Sequence, residues 1–262
     1  MQSFWKRYKP FISAGIQELM TYRVNFFLYR LGDVMGAFVA FYLWKAVFDS
    51  SKQSLINGFT LSDMTFYIIM SFVTALLTKS DSSFMIGEEV KDGSIIMRLL
   101  RPVHFAASYL FMEIGFPFLV VIFGIKLMAG MSFWQLLATV FLYLLSLLLA
   151  FLINFYFNIC FGFSAFVFKN LWGSNLLKNA LVAFMSGSLI PLAFFPKVVS
   201  IVLSFLPFSS LVYTPVMIVI GKYSLSQIMV ALSLQIFWLL VMVVLSQVIW
   251  KKVQYHLTIQ GG

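Results

Sequence analysis

Apolar runs of transmembrane length recur along the whole chain, and they leave it few ways to fold. A membrane-crossing helix needs about 20 consecutive apolar residues at 1.5 Å rise each. That ruler predicts six spans, at about 24–48, 62–78, 105–128, 133–168, 179–195 and 227–250. Of 262 residues, 61% are hydrophobic and only 10% charged, too little charge to cover a water-soluble surface of this size. Aromatic residues, 31 of them Phe, suit lipid-facing positions and interfacial belts. The expected fold is therefore all-α: a polytopic membrane domain over 24–262, preceded by an interfacial helix over 1–23.

The fourth run exceeds one crossing, so tilt or a cytoplasmic extension is expected. The fifth is short and holds Gly187 and Pro191. The stretch 196–224 that follows is apolar, but Pro207, Pro215 and the Ser209-Ser210 pair interrupt it. A proline removes a helical hydrogen bond and clashes with the preceding turn, so two short re-entrant helices are expected there rather than a seventh span. Charge bias agrees. With the N-terminus inside, the cytoplasmic segments hold Lys6, Arg7, Lys9, Arg23, Lys91, Arg98, Arg101, Lys169, Lys178, Lys251 and Lys252, with Arg30 and Lys79 near the same face, 13 of the 18 basic residues. A seventh span would export Lys251-Lys252, against the positive-inside tendency. Both termini are accordingly placed in the cytoplasm and the chain in a cell (inner or plasma) membrane. Residues 1–10 are polar and the first apolar run is too long for a signal-peptide core, so the first span is expected to serve as an uncleaved insertion signal.

The net charge of +9 is spread over the flanks of apolar runs rather than along one stripe, which argues against a nucleic-acid partner. A single cysteine, Cys160, precludes an internal disulfide, and His104 and His256 are too few for a Cys/His metal centre. Near the N-terminus, Phe4, Trp5, Tyr8, Phe11, Ile12, Gly15, Ile16, Leu19 and Met20 recur at helical spacing opposite Lys6, Lys9, Ser13, Gln17 and Thr21. This predicts an amphipathic helix in the inner interface, regular from Pro10 onward, which serves as an anchor or as an elbow touching a cytoplasmic partner. The longest internal polar stretch is 80–104. Asp81 and Ser82 are suited to cap a helix that Gly93 ends in the left-handed conformation; Ser94 caps a second, and Pro102 stops it. Two short helices with apolar teeth cannot bury themselves. They fit docking into a groove on a soluble partner, or a hairpin lying on the membrane.

The run Glu88-Glu89-Val90-Lys91-Asp92-Gly93-Ser94-Ile95-Ile96-Met97-Arg98-Leu99-Leu100-Arg101-Pro102 resembles the first cytoplasmic loop of ABC-2-type transporter permeases. The broken stretch from Gly187-Ser188-Leu189-Ile190-Pro191 through Pro196 to Leu206-Pro207 is similar to the outer re-entrant region after their fifth helix. The resemblance implies a permease subunit that pairs with a second copy or a related permease and receives work from a separate ATP-binding-cassette ATPase. It makes Glu88, Glu89, Gly93, Arg98, Leu99, Leu100 and Pro102 coupling candidates. Glu88 and Glu89 would face basic residues of the partner, Leu99 and Leu100 an apolar notch. ATP and Mg would be held by that partner alone. This chain has no phosphate-cradling G-x-x-x-x-G-K-[ST] loop, since Gly173–Lys178 lacks the second glycine and runs into Asn179. An exporter of hydrophobic or amphipathic cargo is the expected activity, with membrane lipids as surroundings.

Glu113 lies about two turns into the third span, where a carboxylate is costly and faces protein or water; it contacts substrate, relays a proton, or pairs with a basic residue of another helix. Pro117 is placed to bend the same span. Asn154 and Asn158, one turn apart, are candidates for the pathway or for bridging helices, and Pro191 for the pathway. Arg30 and Asp33 are spaced to pair locally, and His104 is read as interfacial. Gly162-Phe163-Ser164 lacks the closing glycine of a nucleophile turn, and no enzyme constellation is visible. An ion-coupled carrier using Glu113, or a non-transporting assembly scaffold, are the alternatives.

Overall fold

The computed structural model describes residues 2–51, 53–114, 133–168 and 170–260. Helix dominates them. α1 (Gln2–Thr21) and α2 (Arg23–Ser51) are followed by α3 (Leu61–Thr78), the short pair α4 (Ser82–Asp92) and α5 (Ile95–Leu99), and α6 (Phe105–Glu113). Then come α7 (Phe133–Gly162), α8 (Trp172–Met185), α9 (Lys197–Phe205), α10 (Tyr213–Val219) and α11 (Leu225–Gln260). Four stretches of the described residues are long and apolar enough to cross a membrane: Arg23–Ser51, Leu61–Asp92, Ala138–Phe166 and Leu225–Tyr255. The chain is a multi-pass membrane protein.

Several expected boundaries shift. α1 runs straight through Pro10 instead of starting there, because its buried face (Tyr8, Phe11, Gly15) packs on α6 along its length. The contact is close: a Cβ on Gly15 would stand 2.1 Å from the Met112 carbonyl oxygen. The fifth run begins at Trp172 rather than 179, and its 14 residues make a helix about 21 Å long, shorter than the hydrocarbon core. The third run starts at Phe105 as predicted; the rest of it, with Pro117, lies outside the described residues. The fourth ends its α-helix at Gly162 and tightens into a 3₁₀ turn over Phe163–Phe166. Between α8 and α11 the two short helices appear as α9 and α10, with Pro215 inside the first turn of α10, where a missing N–H costs little.

α7 is the axis of the bundle, packed by α3, α4, α10 and α11. Two aromatic-rich cores lie along it. One, around Trp44, Phe59, Tyr67, Leu192 and Tyr213, binds α2 and α3 to the segment between α8 and α11. The other, around Ile86, Phe105, Tyr109, Phe155 and Phe163, sits beneath α4 and α5, and Trp250 of α11 stacks on Phe105 at 4.3 Å. Polar side chains tie the apolar helices together. Tyr143 shares a 3.0 Å hydrogen bond with Thr74, and Ser146 donates to Gln235 Oε1 at 3.0 Å while Gln235 Nε2 donates to the Ser210 carbonyl at 2.8 Å.

The turn after α8 is built on Gly187, at φ +79, whose carbonyl accepts from Tyr67 OH at 2.7 Å. A Cβ there would meet Leu192 Cδ1 at 2.6 Å, whereas one on Gly221, at φ +70, would meet nothing within 4 Å. Gly221→Ala is therefore expected to cost only left-handed strain, about 1–2 kcal/mol. Gly187→Ala adds overpacking of about 1–3 kcal/mol. Heating the detergent-solubilised variants before size-exclusion chromatography should lower the apparent melting temperature more for Gly187→Ala than for Gly221→Ala.

Candidate functional site

α4 and α5 form a bent pair seated on one end of α7. Gly93 makes the bend at φ +80 with open space around it, so the conformation and not a close approach demands glycine. Asp81 holds the N-cap position of α4, but its side chain turns to Lys79 at 3.1 Å and caps nothing. Ser94 likewise makes no side-chain cap; its N–H donates to Asp92 Oδ1 at 2.8 Å. α5 ends at Leu99, ahead of Pro102, which sits exposed in the following bend.

The outward surface of α5 is apolar. Ile96 is 60%, Met97 64% and Leu100 75% exposed, with Leu99 partly so, while Ile95 is buried in the core beneath. Glu88 lies in solvent near Lys91. The inward surface is held by charge. Arg98 pairs with Glu89, donating through Nε to Oε2 at 2.8 Å and through Nη2 to Oε1. Tyr109 OH donates to the same carboxylate at 2.7 Å, Arg98 Nη1 donates to Ser108 Oγ at 2.9 Å, and the guanidinium lies 3.9 Å from the Tyr109 ring centre. Glu89 is thus less exposed than Glu88. Its carboxylate faces inward, because Arg98 on α5 and Tyr109 on α6 complete its bonding there.

The start of α4 is fixed as firmly. Ile86 and Ser83 press on α7, where a Cβ at Gly162 would stand 2.7 Å from Ile86 Cδ1 and 3.2 Å from Ser83 Cα. Ser83 reaches into a buried polar cluster, its Oγ lying 2.9 Å from Asn158 Oδ1 and 2.7 Å from Asn175 Oδ1. Lys178 donates to Ser83 Oγ at 2.8 Å, to Asn175 Oδ1 at 3.0 Å and to Asn158 Oδ1. Asn158 in turn donates to the Asn154 carbonyl at 2.9 Å, and Asn154 Nδ2 to the Thr78 carbonyl at 2.7 Å. The two asparagines therefore bridge helices, and both line a cavity between α2, α3, α7 and α8.

Glu113 is elsewhere. Its Oε1 accepts the Asp81 backbone N–H at 3.0 Å, so the carboxylate meets the positive N-terminal end of α4, and it is not among the residues lining that cavity. Pro191 is buried where it opens the 3₁₀ turn Leu192–Phe194, also off the cavity lining. Arg30 and Asp33 pair at 2.7 Å as expected. His104 caps α6, its N–H donating to Tyr8 OH at 3.4 Å. The sequence reading missed Ser83, Tyr109, Asn175 and Lys178 as site residues. The one local signal was the Asn175/Lys178 spacing of three, which puts both side chains on one helical face.

Removing one member of a buried charge pair leaves the other uncompensated, at about 3–5 kcal/mol when burial is complete. The Arg98 and Glu89 side chains keep 11% and 20% of their surface, so Arg98→Ala is expected to cost somewhat less, about 2–4 kcal/mol. Glu89→Gln should cost less, since one amide oxygen can still accept from Tyr109 OH and Arg98 Nε, though the amide NH2 replaces the oxygen that accepted Arg98 Nη2. A double-mutant cycle on apparent melting temperature checks the coupling, and additive losses would contradict it.

No curated protein and no solved structure shows a significant match to the chain. A family model described as "ABC-2 family transporter protein" matches residues 34–261, which takes in both cores, the α4–α5 pair and the polar cluster. The chain therefore belongs to the ABC-2 transporter family, as a membrane permease component of an ABC transporter.

Proposed function

We propose that the chain is the permease of an ATP-driven exporter and that α4–α5 is the part its ATPase pushes. The supporting observation is the two-sidedness of α5: Ile96, Met97 and Leu100 stand in solvent on one side, while Arg98 on the other is bonded to Glu89 and packed on Tyr109. An exposed apolar patch on an element that also carries the solvent-facing Glu88 and Lys91 suits a protein interface. A partner seated there acts on α6 through the Arg98–Glu89–Tyr109 bonds.

The finer reading follows the family layout. Six spans are expected, the third completed by residues outside the described ones and the fifth by α8 with the turn after it. α9 and α10 form the outer re-entrant part, and both termini lie on the ATPase side. ATP and Mg belong to the partner. The face of α2, apolar and largely exposed from Phe27 to Leu43, is available to lipid or to a second permease copy or a related chain. Cargo is hydrophobic or amphipathic. Glu113 supplies little support for an ion-coupled carrier, because its Oε1 is held by the Asp81 amide and it does not line the cavity.

Affinity purification of the chain from its native membranes should recover an ATP-binding-cassette subunit. Met97→Glu with Leu100→Glu places two charges on the docking patch and should lower that recovery at least roughly tenfold, since each desolvated charge costs more than about 1.4 kcal/mol. The permease itself should keep its size-exclusion profile. Undiminished recovery from the double variant would remove α5 from the interface.

A further inference from the structure

The cavity beside Asn154 and Asn158 has a volume of about 420 Å³. Its direction is set by α3 and α8, which run side by side in opposite senses: Ser71 lies against the Ser188 carbonyl at one end, and Ser83, just past α3, meets Lys178 at the other. The lining changes character between them. Phe72, Leu76, Phe157, Val182 and Leu189 form apolar walls, while Arg30, Lys79 and Lys178, with Asp33, stand at the α4 end. From Ser71 to Lys79 the wall extends about 12 Å along the helix.

The cations at that end are not equally paired. Arg30 has Asp33 at 2.7 Å and Lys79 has Asp81 at 3.1 Å. Lys178 is only 6% exposed, and its three ammonium hydrogens go to the neutral oxygens of Ser83, Asn158 and Asn175. Among the described residues no carboxylate comes within ion-pair distance of it. A cation removed from water is costly unless an anion accompanies it. The neutral oxygens orient the ammonium, and Asp81 and Glu113 act on its charge only from beyond ion-pair distance.

Resting on the exporter reading for its purpose but not for its test, we infer that this cavity binds an acidic amphiphile, with the anionic head at Lys178 and the apolar body along Phe72, Leu76, Val182 and Leu189. The head would bring a counter-charge into contact with Lys178, and the walls would cover a single hydrocarbon chain or a compact ring system. A cationic or neutral amphiphile of equal length gains the walls but not the head contact.

The test uses the chain in phosphatidylcholine nanodiscs without any ATPase, so failure here is separate from failure of the docking reading. Radiolabelled dodecyl phosphate should bind saturably above empty nanodiscs, and dodecyltrimethylammonium, dodecyl maltoside and inorganic phosphate should compete poorly. Lys178→Gln should weaken binding on the order of 30-fold, the loss expected for truncating one partner of a buried charge pair, and Lys178→Arg should retain the acidic preference. Should Lys178→Gln fail to give a monodisperse preparation, Ala183→Phe fills the half-buried wall without touching the charge and should weaken binding at least as much. Competition by added phosphatidylglycerol would assign the ligand to the bilayer, and its absence to a free amphiphile; the head chemistry is the same. Equal competition by dodecyltrimethylammonium, or dodecyl phosphate binding unchanged in Lys178→Gln or in Ala183→Phe, would overturn the assignment.

Discussion

Inside hydrocarbon a polar atom has no water to turn to, and this rule sets the register of the bundle. Along α7, Tyr143, Ser146, Asn154 and Asn158 fall on the flanks that meet other helices, and each of the four finds a partner there. Tyr143 meets Thr74 of α3; Ser146 meets Gln235 of α11, which also reaches the Ser210 carbonyl; Asn154 meets the Thr78 carbonyl; Asn158 meets Ser83 of α4 and Lys178 of α8. Apolar contacts alone would let these helices slide, because lipid tails are as apolar as leucine. A rotation of α7 by one residue, about 100°, would strand all of these groups at once. The aromatic cores fill the space that the polar bonds have placed.

What could be read from the sequence follows from the same rule. The first, second and last spans were legible because their apolar runs end at polar residues that are outside: Thr60 and Asp63 make a capping box where α3 starts, and Lys251-Lys252 lie exposed on α11. The start of α8 was not, since Asn175 and Lys178 read as a polar flank when they are in fact buried. A hydropathy reading gives a lysine one meaning, whereas burial with three oxygen partners gives it another. The bend at Gly93 was legible from local chemistry, as only a left-handed residue followed by a second apolar turn fits there. The inward role of Glu89 was not, because its partners are nine and twenty residues away, beyond any helical period. Glu113 stood out as a costly charge, but its destination, the Asp81 amide, depends on how α6 lies against α4.

The α4–α5 pair is held at three separate places, and this governs what it can do. Arg98 and Glu89 fasten it to α6, Ile86 and Ser83 seat it on α7 and α8, and Glu113 meets its first backbone N–H groups. An element attached at one point would swing when pushed and absorb the displacement in its hinge. On the docking reading proposed above, three attachments on different helices would make the pair a lever whose displacement must appear in the bundle. Gly93 bends the pair but does not free it, for the Arg98–Glu89 bond spans the bend from α5 to α4.

Ser83 belongs to both regions at once. It is part of α4, and it is one of the three oxygens around the Lys178 ammonium at the end of the cavity. On the reading proposed above, a push on α5 that shifts α4 along its axis draws Ser83 away from Lys178. The ammonium then has two oxygens in place of three, and a deeper need for an anion or for water. Motion in the other sense restores the third oxygen and lowers the gain from holding a charged head. Affinity at the cavity and the position of the docking helices are therefore linked through a single side chain, and linkage of that kind is reciprocal: a ligand that prefers one position of Ser83 shifts α4 by the same free energy that α4 exerts on the ligand.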